Sequence, residues 1–122
     1  MEILYLPTGS KKLKVIQVIL NKKDYLIFQN NETYHKDMLV NFLNLNNIVY
    51  HKNFKGLPDL FGSCYQVIGM GWAHIDYEDI TISFYGSSYD YKISINSDFF
   101  KCQFINRLRV LYLDKHSFSF AV

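Results

Sequence analysis

The sequence predicts an α+β domain: a mixed, mainly antiparallel sheet of about six strands with one helix packed on each face. Three observations carry this expectation. Strand-like segments outnumber helical ones, short polar turns join them into two hairpins, and one segment of clear helical spacing lies between the hairpins. With 49% of its 122 residues apolar and 20% charged, residues 1–122 make one domain, able to bury a core without disulfides or metal.

Each element follows from its pattern. From Leu13 to Leu20, Leu13, Val15 and Ile19 lie on one face and Ile16, Val18 and Leu20 on the other, as in a strand covered on both sides. Asn21-Lys22-Lys23-Asp24 is a polar turn, and Tyr25-Leu26-Ile27-Phe28 returns as the antiparallel partner. Asn30-Asn31-Glu32-Thr33 supplies capping side chains. Tyr34, Met38 and Phe42 then form one row and Leu39 and Leu43 the next, which predicts a helix from about Thr33 to Leu45. Asn46-Asn47 ends it, Ile48-Val49-Tyr50 reads as a short strand, and Lys52 to Gly62, with Gly56 and Pro58, as a surface loop.

Cys64 to Ile68 is a further strand leading into Gly69-Met70-Gly71-Trp72. Tyr77-Glu78-Asp79 turns into the strand from Ile80 to Tyr85, closing the second hairpin. Ser97 is placed to cap a second helix carrying Phe99, Phe100, Phe104 and Ile105, and Arg109-Val110-Leu111-Tyr112-Leu113 reads as a last strand buried on both faces.

Composition narrows function mostly by exclusion. The net charge of +2, with Arg107 and Arg109 the two arginines among thirteen basic residues, is too mild to demand a nucleic-acid partner. Cys64 and Cys102 lie far apart with no C-x-x-C pair, so reduced thiols and a cytoplasmic location are the default. The apolar start is short, lacks a positive leader and is broken by Pro7 and Gly9, so neither a signal peptide nor a membrane span is expected. His51, His74 and His116 are scattered without metal-ligand spacing. Gly69-Met70-Gly71 lacks the third glycine of a dinucleotide fingerprint. No metal or cofactor is expected, and a monomer is the default.

Two segments carry chemistry. In Phe84-Tyr85-Gly86-Ser87-Ser88-Tyr89-Asp90-Tyr91, Gly86 frees the backbone to turn after a strand, so that successive N–H groups and the Ser87 and Ser88 hydroxyls could converge on an anion. In Tyr34-His35-Lys36-Asp37, a histidine in the first turn of a helix would share space with unpaired backbone N–H groups and a dipole that favours an anion. Histidine is the side chain suited to act as base or nucleophile near neutral pH.

Tyr-His-x-Asp at a helix start, a Gly-x-Gly segment, and a strand ending in Tyr-Gly-x-Ser-x-x-Tyr together resemble the phosphohistidine phosphatase family, also called Janus/ocnus. The pattern of elements runs over roughly Lys12 to Leu113, a usual single-domain span. The resemblance implies a metal-independent phosphatase acting on phosphohistidine in proteins or peptides, with a sheet flanked by helices. It places the catalytic histidine on His35, as base or nucleophile, and the phosphate-contacting serine on Ser88. Tyr34, Gly86, Ser87 and Asp90 complete the substrate site, and the family's strand lysine falls on Lys12, with Lys11 and Lys14 as alternatives. The chain departs from the family in two cations. Tyr25 to Tyr34 contains no arginine, and Trp72 stands where the family has one. Those departures motivate a second reading, a binding module for a phosphorylated or acidic partner without turnover. The many aromatics motivate a third, single-stranded nucleic-acid binding on an open sheet face.

Overall fold

The central strand pairs with neighbours on both sides, and the rest of the architecture is arranged around it. The computed structural model describes residues 2–4, 11–78, 81–101, 107–109 and 117–121. In chain order these give β1 (Glu2–Leu4), β2 (Lys12–Leu20), β3 (Lys23–Asn30), α1 (His35–Leu45), β4 (Tyr65–Asp76), β5 (Thr81–Tyr85), α2 (Asp98–Lys101), β6 (Arg107–Arg109) and β7 (Ser117–Ala121). The strands join in the order β1-β3-β2-β4-β5-β7-β6. The class is α+β with a mainly antiparallel sheet; β1 beside β3 and β5 beside β7 are the parallel pairings.

The first hairpin turns on two residues rather than four. Asn21 and Lys22 both have positive φ, 49° and 66°, the geometry whose twist matches that of the strands it joins. Lys23 and Asp24 therefore already pair with Leu20 and Ile19.

The two faces of β2 feed two cores. Leu13 and Val15 join Leu26, Phe28, Ala73, Ile75, Ile82 and Phe84 on one face. Ile16, Val18 and Leu20 join Ile27, Met70 and the Met38, Leu39, Phe42 and Leu43 stripe of α1 on the other. Phe99 of α2 is buried in the first cluster, on the face away from α1, while Phe104 and Ile105 lie outside the described residues. The turn into α2 is capped by Asn96, whose Oδ1 accepts from Asp98 N at 2.9 Å, where Ser97 was expected to do so.

Strand β4 is longer than its sequence suggests. It runs unbroken through Gly69 and Gly71, with a register shift against β2 between Gln17 and Val18. A Cβ on Gly69 would lie on Gln17 Oε1, because the Gln17 amide reaches across this point to both the N–H and the carbonyl of Asn96. The expected strand at Ile48-Val49-Tyr50 does not form. Asn47, at φ 55°, and the Ile48 N–H to Leu43 carbonyl bond turn the chain off the end of α1 and leave Val49 in solvent. Only Arg109 of the expected last strand is described, in β6; residues 110–113 lie outside the described residues. Among the described residues no helix is long and apolar enough to cross a membrane.

Candidate functional site

Helix α1 starts at His35, two residues later than its spacing suggests. The expected capping residues are occupied elsewhere: Asn30 Oδ1 accepts from Glu32 N and Thr33 Oγ1, closing a turn before the helix. Tyr34 is the N-cap, with extended backbone and no side-chain cap bond. His35 thus occupies the first helical position, where the N–H groups of His35 and Lys36 have no partner one turn back.

His35 is not a solvent-facing helix residue. It is 4% exposed, its Nε2 lies 2.9 Å from the Gly71 carbonyl, and its ring meets Trp72 edge-on at 6.3 Å. A carbonyl only accepts, so Nε2 carries the proton and donates it, which leaves the lone pair on Nδ1. Burial pushes the imidazole pKa below its ordinary value. The Gly71 carbonyl opposes that shift, the Lys14 ammonium adds to it, and Asp90 and the Val15 carbonyl oppose it.

The second motif arrives from β5. Gly86 has φ +81°, and its Cα lies against Trp72, where a Cβ would sit 2.6 Å from the indole. The chain then loops back, so that Ile95 N donates to the Gly86 carbonyl and Ser88 N to the Ile93 carbonyl. The expected row of free N–H groups after Gly86 is therefore broken, since the Ser88 amide is spent on Ile93. Ser88 is 2% exposed, and its Oγ accepts from Tyr91 N at 3.4 Å, so its hydroxyl proton remains available to donate. The turn closes with Lys92 N on the Ser88 carbonyl, and no hydrogen bond within it uses the N–H groups of Tyr89 and Asp90.

Gly71 joins the two motifs. Its carbonyl holds His35, and its Cα abuts the Tyr85 carbonyl and Ile95, each 2.6 Å from where a Cβ would be. The Gly-x-Gly segment of the sequence is a point in mid-strand where the serine loop touches the strand that fixes the histidine.

A cavity of about 440 Å³ opens between them, lined by Lys14, Tyr34, His35, Trp72, Ser87, Ser88, Tyr89 and Asp90. Of the residues singled out in sequence, Tyr34, His35, Ser87, Ser88 and Asp90 come together here. Gly86 lies behind Trp72 and shapes the wall. Lys12 is not among the lining residues; it is exposed, with its ammonium 4.6 Å from the centroid of the Trp72 ring. Lys14, one of the alternatives, takes the position inside, between the Tyr34 and Trp72 rings at 5.3 and 5.0 Å. Strand alternation puts both lysines on the α1 face, so parity did not separate them. Register does: Lys14 pairs with Trp72, next to the Gly71 that holds His35, and Lys12 pairs with His74. Burial lowers the Lys14 pKa, and Asp90 opposes that.

Trp72 and Tyr89 are the cavity residues that the substrate assignment left out. The alternation of β4 offers a signal for Trp72, and nothing in sequence marks Tyr89, 93% exposed at the tip of its turn. Among the described residues no group of His, Cys, Asp and Glu is placed to hold a metal ion. No family model, curated protein or solved structure matches the chain.

Proposed function

We propose that the chain is a metal-independent phosphatase that hydrolyses the N–P bond of phosphohistidine in proteins or peptides, with His35 as the catalytic residue. The observation that carries this reading is the shared cavity. A buried histidine and a buried serine from distant parts of the sequence line one space with a lysine.

The chemistry uses the His35 nitrogen that holds the lone pair. Acting as nucleophile, Nδ1 forms a bond to phosphorus as the bond to the substrate imidazole breaks, and the departing nitrogen takes a proton from solvent. Water then attacks the phosphorylated His35, releases inorganic phosphate and returns a proton to solvent. Acting as base, Nδ1 takes the proton of a water whose oxygen attacks phosphorus as the N–P bond breaks; the substrate imidazole leaves with a proton from solvent, and His35 gives its own back to solvent. Both routes need a neutral ring, which burial favours. The Lys14 ammonium, the Ser88 hydroxyl and the first-turn N–H groups of α1 would receive the phosphoryl oxygens. Tyr34 and Trp72 hold Lys14 in place, and Asp90 accepts an N–H of the substrate imidazole. The buried Phe99 of α2 supports a helix on the second face, and a cytoplasmic setting suits the free Cys64 thiol.

Charge in the cavity favours the binding-module reading as its rival. Lys14 is the cation of the lining and Asp90 opposes it, so a dianionic phosphoryl group meets little net positive charge. Phosphoramidate, the smallest N–P substrate, separates the two. Phosphate release that His35→Ala reduces to the uncatalysed rate supports the phosphatase. Saturable binding without release supports the module.

A further inference from the structure

Behind the Tyr89–Asp90 turn lies a second cavity of about 420 Å³, lined by Lys36, Lys55, Leu57, Tyr89, Asp90 and Lys92. It shares Tyr89 and Asp90 with the His35 cavity, so the two are neighbours across one turn. Three lysines and one carboxylate line it, and that carboxylate also acts electrostatically on Lys14 and His35 of the first cavity.

The three lysines come from three separately braced elements. Lys36 extends from the first turn of α1, with its Nζ 5.7 Å from the Tyr34 ring. Lys55 sits in a turn closed by Asn53, whose Oδ1 accepts from the N–H groups of both Lys55 and Leu57. Lys92 is held at φ 56°, a backbone conformation uncommon for a residue with a Cβ, by its N–H bond to the Ser88 carbonyl. The Tyr91 hydroxyl donates to the Pro58 carbonyl at 2.9 Å and ties the last two turns together. Each brace fixes the backbone from which a lysine projects, so three cationic side chains border one space, an arrangement that an anionic group relieves.

We propose that this second cavity binds a carboxylate of the same ligand whose phosphoryl group enters the His35 cavity, making the preferred substrate a phosphorylated segment flanked by Asp or Glu. The proposal rests on the phosphatase reading for the first cavity, and the second cavity can be tested apart from it. Lys55→Gln combined with Lys92→Asn removes two charges at exposed positions, and asparagine tolerates the left-handed backbone at position 92.

Binding of fluorescent peptides with a central histidine, flanked by aspartates or by asparagines and with or without phosphorylation, gives the test. The wild-type protein should prefer the aspartate peptides by about tenfold, as expected for a charge-assisted contact. In the double variant that preference should vanish, while phosphoramidate turnover, whose substrate is too small to span both cavities, stays unchanged. Equal affinity for the two flanks in the wild type, or a preference that survives the double substitution, overturns the proposal. An aspartate preference that the double variant loses, in a protein that releases no phosphate, would remove the phosphatase reading and leave the carboxylate site standing.

Discussion

At the scale of residues, His35 does two things that pull against each other. Its buried ring stabilises the end of α1 against β4 only while neutral, because protonation would place a charge in a desolvated site. Its folded pKa lies below the 6.5 of an ordinary histidine, so the unfolded chain takes up the proton first. The contribution is therefore complete above about pH 6.5 and is lost as pH falls through the folded value. Chemical denaturation of the wild type should show stability falling from about pH 7 towards pH 5, with a shallower slope in His35→Asn. Lys14 and Lys12 give a second comparison. Both touch Trp72, yet Lys14 lines the cavity. Loss of a charge-assisted contact costs about 1.5 to 3 kcal/mol, so Lys14→Ala should raise KM or lower kcat/KM by roughly ten- to a hundredfold. Lys12→Ala should change either by less than about threefold. Equal effects would return the role to the strand end.

At the scale of elements, the site depends on how closely β4 lets its neighbours approach. Alanine at position 71 would set a Cβ against the Tyr85 and Gly86 carbonyls at 2.6 and 3.0 Å, and backbone does not rotate aside as a side chain can. Gly71→Ala should therefore cost about 1 to 3 kcal/mol in denaturant unfolding. It should also reduce turnover, because the displaced strand carries the carbonyl that fixes His35. A variant of wild-type stability and activity would show the close approach to be unimportant. Strands β2, β3 and β5 and helix α1 were legible in sequence because alternation and the Met38, Leu39, Phe42 and Leu43 stripe are direct records of burial, whereas β1 and β7 were not anticipated. The helix start was legible only to within two residues, since Asn30 and Thr33 bond to each other and not to the helix. Strand β4 was legible only as far as Ile68, before its glycines. Glycine signals close approach as well as turning, and the approaching partners, Asn96 and Ile95, lie far along the chain.

At the scale of the whole molecule, the sheet brings together two motifs that neither local pattern could relate. Helix α1 packs on the β2 face that carries Ile16 and Val18, which places its first turn over Lys14 and Gly71. Strand β5 ends opposite Trp72, which delivers the Ser88 loop to the same place. The pairing of His35 with Ser88 was legible only through the resemblance to phosphohistidine phosphatases. The substitution of Lys14 for Lys12 needed register, and the three-lysine cavity needed the return of two loops, neither of which periodicity encodes. Phosphate release from a phosphohistidine peptide, followed from about pH 5 to pH 8 for the wild type and for His35→Asn, tests the central claim most directly. The wild type should turn over with an acid limb whose midpoint lies below 6.5, while His35→Asn stays at the uncatalysed rate. Equal release by the two proteins would contradict it.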